Sequence, residues 1–177
     1  MSGEAPHASE AERVHASLRA CLLRKSLADC RQRAAAALVL GLTPTDVLAL
    51  QHIAFAGVLT RSALSARLQL TSGGTSTLVQ RLERHGLVTS EPHPGDRRSA
   101  LVRLSATGAQ GAAGAYASIV RDVDATVDGF RPGERALVEA FLTRVARVTE
   151  ARAEELIQST RSERARVAAV PHAGLWA

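Results

Sequence analysis

Cysteine is nearly missing. The 177-residue chain has two, Cys21 and Cys30, too few for a disulfide framework and without the C-x-x-C spacing of a zinc site. Its six histidines are scattered, with no H-x-x-x-H pair, so neither a metal nor a cofactor is expected. Aromatic residues amount to 3%, which leaves Leu, Val and Ala to build the core, a composition that favours helix. No run of about 18 apolar residues occurs, and no basic-then-apolar leader, so the expectation is a cytoplasmic protein with neither a membrane span nor a signal peptide. A nucleophile–base pair, a phosphate loop and a metal-ligand spacing are all missing, which argues against an enzyme. Lysine is scarce too: Lys25 is alone among 22 basic residues.

The chain does have an uneven distribution of charge. Its net +5 is concentrated in residues 60–104, where seven arginines (Arg61, Arg67, Arg81, Arg84, Arg97, Arg98, Arg103) face three acids (Glu83, Glu91, Asp96). The segments on either side are close to neutral. A local cationic excess is the footprint of a face that meets a polyanion.

Residues 1–8 read as a disordered arm. From Ser9 to Ala37 the chain is helix-compatible, with Val14, Leu18 and Cys21 on one side and Leu23, Leu27 and Cys30 on the other. "LTPTD" is a helix start, with Thr43 as N-cap, Pro44 at the first helical position and Asp46 three residues after the cap. That helix stops near Gly57. Thr60 opens a short helix with Leu64 and Leu68 facing inward, and Thr71 caps the next, which Gly86 ends. Beyond it, "GLVTSE" and the alternating "SALVRL" bracket "PHPGDRR" and read as a hairpin with Arg97 and Arg98 at its tip. A long helix follows from Ala106, with an inner stripe of Tyr116, Ile119, Val120, Val123, Val127 and Phe130. "RPGE" breaks it, and a second long helix carries Leu137, Val138, Phe141, Leu142, Val145 and Val148. The stretch from about Gln158, with Pro171 and Trp176, shows no period and reads as loose or partly helical.

Stepping 100° per residue along Ser72–His85 places Thr75, Leu78, Val79 and Leu82 on one face. The opposite face carries Gly73, Ser76, Thr77, Gln80 and Arg84, flanked by Ser72 and Arg81, with no large apolar group. An ordinary solvated face is the commoner reading of a single such helix. Small residues at the N-terminus, hydroxyls, an amide and a guanidinium also suit base edges in a major groove. A hairpin directly after such a helix projects toward the adjacent minor groove, whose negative potential attracts arginine. Asp96 can orient one of the neighbouring guanidinium groups.

"LTSGGTSTLVQRLERHGLV" followed by "PGDRRSALVRLSATG" resembles the MarR family of bacterial transcription regulators over residues 42–108. The resemblance implies a mostly α fold: a winged helix-turn-helix with a two-stranded β-hairpin wing, flanked by N- and C-terminal dimerisation helices. The implied organisation is a dimerisation helix over 9–41, a DNA-binding domain over 42–105, dimerisation helices over 106–157 and a tail over 158–177. Ser72, Gly73, Ser76, Thr77, Gln80, Arg81 and Arg84 fall on the family's recognition helix. Asp96 and Arg98, with Arg97 between them, match its wing aspartate and minor-groove arginine. The resemblance also implies a homodimeric repressor on a near-palindromic duplex DNA site, released by a small phenolic or lipophilic effector in a cleft near His52 and Phe55. An alternative of the same fold senses oxidants through cysteine. Cys21 and Cys30 lie about 13.5 Å apart along one helix and cannot bridge each other within it. Buried, unreactive thiols are the expectation, and a bridge to another subunit is the remaining geometry. A winged-helix module that binds protein instead of DNA is the other alternative.

Overall fold

The structure, a computed structural model, describes the backbone of residues 9–168 and, within that span, all side chains except those of residues 96–98, 161 and 164–168. The expected arm at residues 1–8, and Pro171 and Trp176, lie outside the described residues. The elements follow the order α1 Glu10–Leu40, α2 Pro44–Ala56, β1 Val58–Thr60, α3 Arg61–Leu68, α4 Ser72–Arg84, β2 Val88–His93, β3 Asp96–Leu104, α5 Ala106–Asp128 and α6 Pro132–Ala168. The chain divides after Val120 into two compact units. Among the described residues, no single helix is long and apolar enough to cross a membrane.

Local chemistry sets most of these boundaries. Ser9 caps α1 in a box with Glu12, and Thr43 caps α2 in a box with Asp46, behind Pro44. In each box the cap hydroxyl accepts from a backbone amide while the acid accepts from the cap's own amide, so two of the helix's orphan donors are satisfied. Thr60 and Thr71 cap α3 and α4. Gly86, at φ +67°, ends α4, its amide donating to Glu83 O at 2.8 Å and that of Leu87 to Leu82 O at 2.9 Å. Between α3 and α4 the turn passes through Gln69 at φ +53°, the one non-glycine residue in the left-handed region among those described. A side chain there costs about 1 kcal/mol.

The core of the first unit sits where α2, α3, α4 and the sheet converge. Ile53, Leu64, Val79, Leu82 and Val102 are wholly buried there. Each side chain of that size contributes about 1.5–3 kcal/mol relative to exposure. Thr75, Leu78, Val79 and Leu82 are the buried residues of α4, the four that the helical period assigns to one face.

The sheet departs from expectation. It has three antiparallel strands in the order β1-β3-β2; the sequence offers only the hairpin, β2 and β3. β1 is three residues long, too short for an alternating pattern, and it exists because β3 has a free edge. Val58, Leu59 and Thr60 pair there with Arg103, Val102 and Leu101. The hairpin turn itself is Pro94–Gly95, so Asp96, Arg97 and Arg98 open β3 instead of forming the tip. A register shift falls at Pro92/His93.

The stretch from Gln158, expected to be loose or partly helical, is helical within α6 as far as Ala168. Another expectation changes. The stripe on α5 is not buried within the chain: Val120, Val123, Val127 and Phe130 are 40–53% exposed. Val14, Leu18, Leu23 and Leu27 on α1 are exposed as well. Cys21 and Cys30 are likewise exposed free thiols rather than buried ones.

Candidate nucleic-acid interface

The outward side of α4 is built as the period predicts. Ser72, Gly73, Thr77, Gln80 and Arg84 are exposed and Ser76 is half-buried. A Cβ added at Gly73 would meet nothing within 4 Å, so the surface is open where the helix begins. Thr77 Oγ1 donates to Gly73 O at 3.1 Å, which fixes the hydroxyl against the helix and leaves its methyl outward. Arg84 has no carboxylate partner among the described residues, and only a long Nε contact to Gln80 O at 3.4 Å.

Arg81 is different and corrects the sequence reading. Instead of flanking the outward face as a free cation, it forms a fork with Asp46 across 35 residues of chain. Its Nη2 donates to Oδ1 at 2.6 Å, and Nε lies 3.2 Å from Oδ1 and 3.1 Å from Oδ2. Asp46 is 0% exposed and also accepts from Thr43 Oγ1 at 2.7 Å and Thr43 N at 3.0 Å. Burial pushes its carboxyl up, but the Arg81 and Thr43 hydrogen bonds and the Arg81 charge outweigh burial and hold it below 3.8. The same bond raises Arg81. Bidentate guanidinium–carboxylate pairs are directional as well as strong, so the pair fixes α4 against the first turn of α2. The sequence signals Asp46 as a cap, but nothing local shows that it is buried or which cation reaches it.

The side chains of Asp96, Arg97 and Arg98 lie outside the described residues. The backbone places them at the start of β3, directly after the turn. Farther along the wing, Arg103 forms an ion pair with Glu91 on β2. Two of the seven arginines in the basic segment, Arg81 and Arg103, are therefore matched by acids. Among the described residues Arg61, Arg67 and Arg84 are not.

A second site lies on the same unit. A cleft of about 740 Å³ is walled by Leu50, Ala54 and Phe55 of α2, Leu40 of α1, and Ala109 and Tyr116 of α5. Its polar groups are Gln51 and Tyr116. Gln51 Nε2 donates to Tyr116 Oη at 2.8 Å, and Arg33 Nε donates to Gln51 Oε1 at 2.9 Å. Burial, more than any charge, holds the Tyr116 hydroxyl above 10, so it stays protonated. Phe55 lines this cleft and His52 does not. One residue along a helix turns a side chain by 100°, and His52 is set instead among Arg67 and Arg33. Burial first, then those two cations, lower its imidazole below 6.5. Sequence reading missed Gln51 and Tyr116 because their meeting is a tertiary event, although the chain's single tyrosine, in a stripe with no other polar group, was a signal.

A recognition-type helix, a preceding short helix across a tight turn and a sheet ending in a hairpin define a winged helix-turn-helix protein. Residues 40–99 match the model of the MarR family. An uncharacterized HTH-type transcriptional regulator, YcgE of Bacillus subtilis (strain 168), is 40% identical over 68 residues, or 38% of this chain and 44% of that one. The match thus spans under half the length of this curated relative. The fold is also that of a mutant MarR from E. coli complexed with operator DNA, with a TM-score of 0.50 and 23% identity over 73% of this chain and 93% of that one. NadR in complex with 4-hydroxyphenylacetate superposes with a TM-score of 0.57 at 19% identity over 82% and 98%. Over residues 40–99 the chain is thus similar to the MarR family.

Proposed function

We propose that the protein is a sequence-specific DNA-binding transcription regulator that acts as a homodimer on a near-palindromic operator. The outward face of α4 carries this reading: Gly73, Thr77, Gln80 and Arg84 are exposed together on a helix held from behind by the Arg81–Asp46 fork. Gln80 and Arg84 supply the donors and acceptors for base edges, and Arg98, carried over from the resemblance, reaches the minor groove. Exposed apolar side chains on α1, such as Leu23 and Leu27, and on α6, such as Leu137 and Leu142, support a second copy as their cover. In such a dimer two α4 helices lie about 34–36 Å apart, one turn of duplex.

The cleft supports a second element of the proposal, release by a small ligand. An apolar chamber with one amide and one phenol suits a compact aromatic molecule bearing a polar group, and NadR's bound 4-hydroxyphenylacetate is of that kind.

The test is a footprint on DNA upstream of the protein's own gene, with affinity followed from about 50 to 200 mM salt. Steep loss with salt is expected, Gln80→Ala relaxes base preference, and Arg98→Ala weakens binding. A protein that stays monomeric, or is indifferent to every duplex at low salt, sinks the proposal.

A further inference from the structure

Three polar side chains form a chain of bonds beside the cleft: Arg33 of α1, Gln51 of α2 and Tyr116 of α5. Arg33 Nε donates to Gln51 Oε1 at 2.9 Å, and Gln51 Nε2 donates to Tyr116 Oη at 2.8 Å. The direction of these bonds has one solution. A guanidinium has N–H donors and no acceptor, so Gln51 must offer Arg33 its oxygen. The amide's donor end is then left for Tyr116, which must accept with a lone pair. The tyrosine's own proton is spare, and among the described residues no acceptor takes it. Nothing draws Arg33 away, because the nearby Asp29 is matched by Lys25 at 2.6 Å.

Gln51 and Tyr116 line the cleft; Arg33 does not. Among the described residues, every other side chain of that wall is apolar. The wall therefore holds a free hydroxyl donor and no acid. Burial keeps that hydroxyl above 10, so its proton is present at neutral pH. A lone polar group in an apolar wall discriminates strongly, since a ligand that leaves it unmatched loses the bond each had to water.

We infer that Arg33 is a positioning residue that fixes the cleft as a hydrogen-bond donor, and that the ligand it selects is a compact aromatic molecule presenting an acceptor, a carbonyl or a carboxylate, rather than an amine. The inference rests on the ligand-release reading above and adds the residue behind the wall that sets its preference. Without Arg33 the Gln51 amide is free to turn over. Its oxygen can then take the tyrosine proton, and the wall offers donor or acceptor alike.

The experiment is calorimetric titration of the full-length protein with phenylacetate, acetophenone and phenethylamine. Acetophenone is the decisive probe, since it accepts without carrying charge. The wild type is expected to bind acetophenone and phenylacetate at least about tenfold more tightly than phenethylamine. Arg33→Met loses most of that preference, while Arg33→Lys, which keeps a donor, retains it. Gln51→Glu, whose ionised side chain only accepts, takes the tyrosine proton and reverses the preference toward phenethylamine. A purely structural role for Arg33 would weaken all three probes by one factor and leave their ratios alone, and that result overturns the inference. So does a wild type that binds phenethylamine as tightly as acetophenone, or one that binds phenylacetate alone, which assigns the attraction to charge. If Arg33→Met binds no probe, the reversal in Gln51→Glu decides, and its absence overturns the inference. A wild type that binds none of the three fails earlier, at the ligand reading itself, and the inference falls with it.

Discussion

Arg81 on α4 holds Asp46 on α2 through both an Nε and an Nη2 contact, the shorter at 2.6 Å, with Asp46 wholly enclosed and Arg81 partly exposed. The pair joins α4 to the first turn of the helix that walls the cleft, so Arg81 is held against α2 rather than left as a free cation.

Removing Arg81 and removing Arg84 have unequal consequences. Arg81→Ala strands a buried carboxylate and is expected to cost about 3 kcal/mol, read as a lower midpoint in urea. Arg84→Ala, on the outward face of the same helix, is expected to change stability by less than about 0.5 kcal/mol while weakening duplex binding. Equal stability losses in the two variants would falsify the distinction.

Acid titration tests the same pair from another direction. The Asp46 carboxyl is held below its ordinary value in the folded chain, so the unfolded state binds the proton more tightly. The contribution to stability is complete above about pH 4, the unfolded value, and is lost as pH falls through the folded value. Thermal midpoints measured from neutral pH down to about pH 2 should show this decline below about pH 4. In Asp46→Asn that part of the decline should be gone.

Gly108 sits near the start of α5, where a Cβ would come within 1.8 Å of Leu87 O. The close approach is maintained by Ser105, whose amide donates to that same oxygen at 3.0 Å and whose hydroxyl accepts from Gly108 N at 2.9 Å. Gly108→Ala must displace backbone, and a loss of about 3 kcal/mol is expected. Gly114, on the same helix with nothing within 4 Å of its missing Cβ, is the control: Gly114→Ala gains about 0.5–1 kcal/mol from helix propensity alone. Chemical denaturation of the two variants settles the contrast.

Tyr116→Phe removes the hydroxyl that Gln51 Nε2 reaches. The expected cost is about 1 kcal/mol, with duplex affinity unchanged and the binding of phenolic carboxylates weakened in calorimetric titration. Unaltered heats for every such compound that the wild type binds would remove Tyr116 from the ligand site.

What was legible in the sequence is what local rules control. The Thr43–Pro44–Asp46 start, the Gly86 stop and the four buried positions of α4 follow from capping chemistry and a 3.6-residue period, and each is present in the fold. What was not legible depends on distant partners. β1 needs the edge of β3. Arg81 looks like any flanking arginine until Asp46 arrives from 35 residues away. Gln51 and His52 are adjacent in the chain, and only the packing of α1 and α5 decides which one faces the cleft. The thiols of Cys21 and Cys30 looked buried because an apolar stripe usually is, yet α1 is largely bare within one chain.

The helix α2 has a mechanical consequence. Asp46 and Gln51 are five residues apart on it, about 7.5 Å along its axis, so neither end of this short lever can shift privately. Under the proposed function, a molecule in the chamber beside Gln51 and a duplex beneath α4 would pull on the same rod. Thermodynamic reciprocity would then oblige them to trade affinity by one common factor, the DNA loosening a releasing ligand as much as that ligand loosens the DNA.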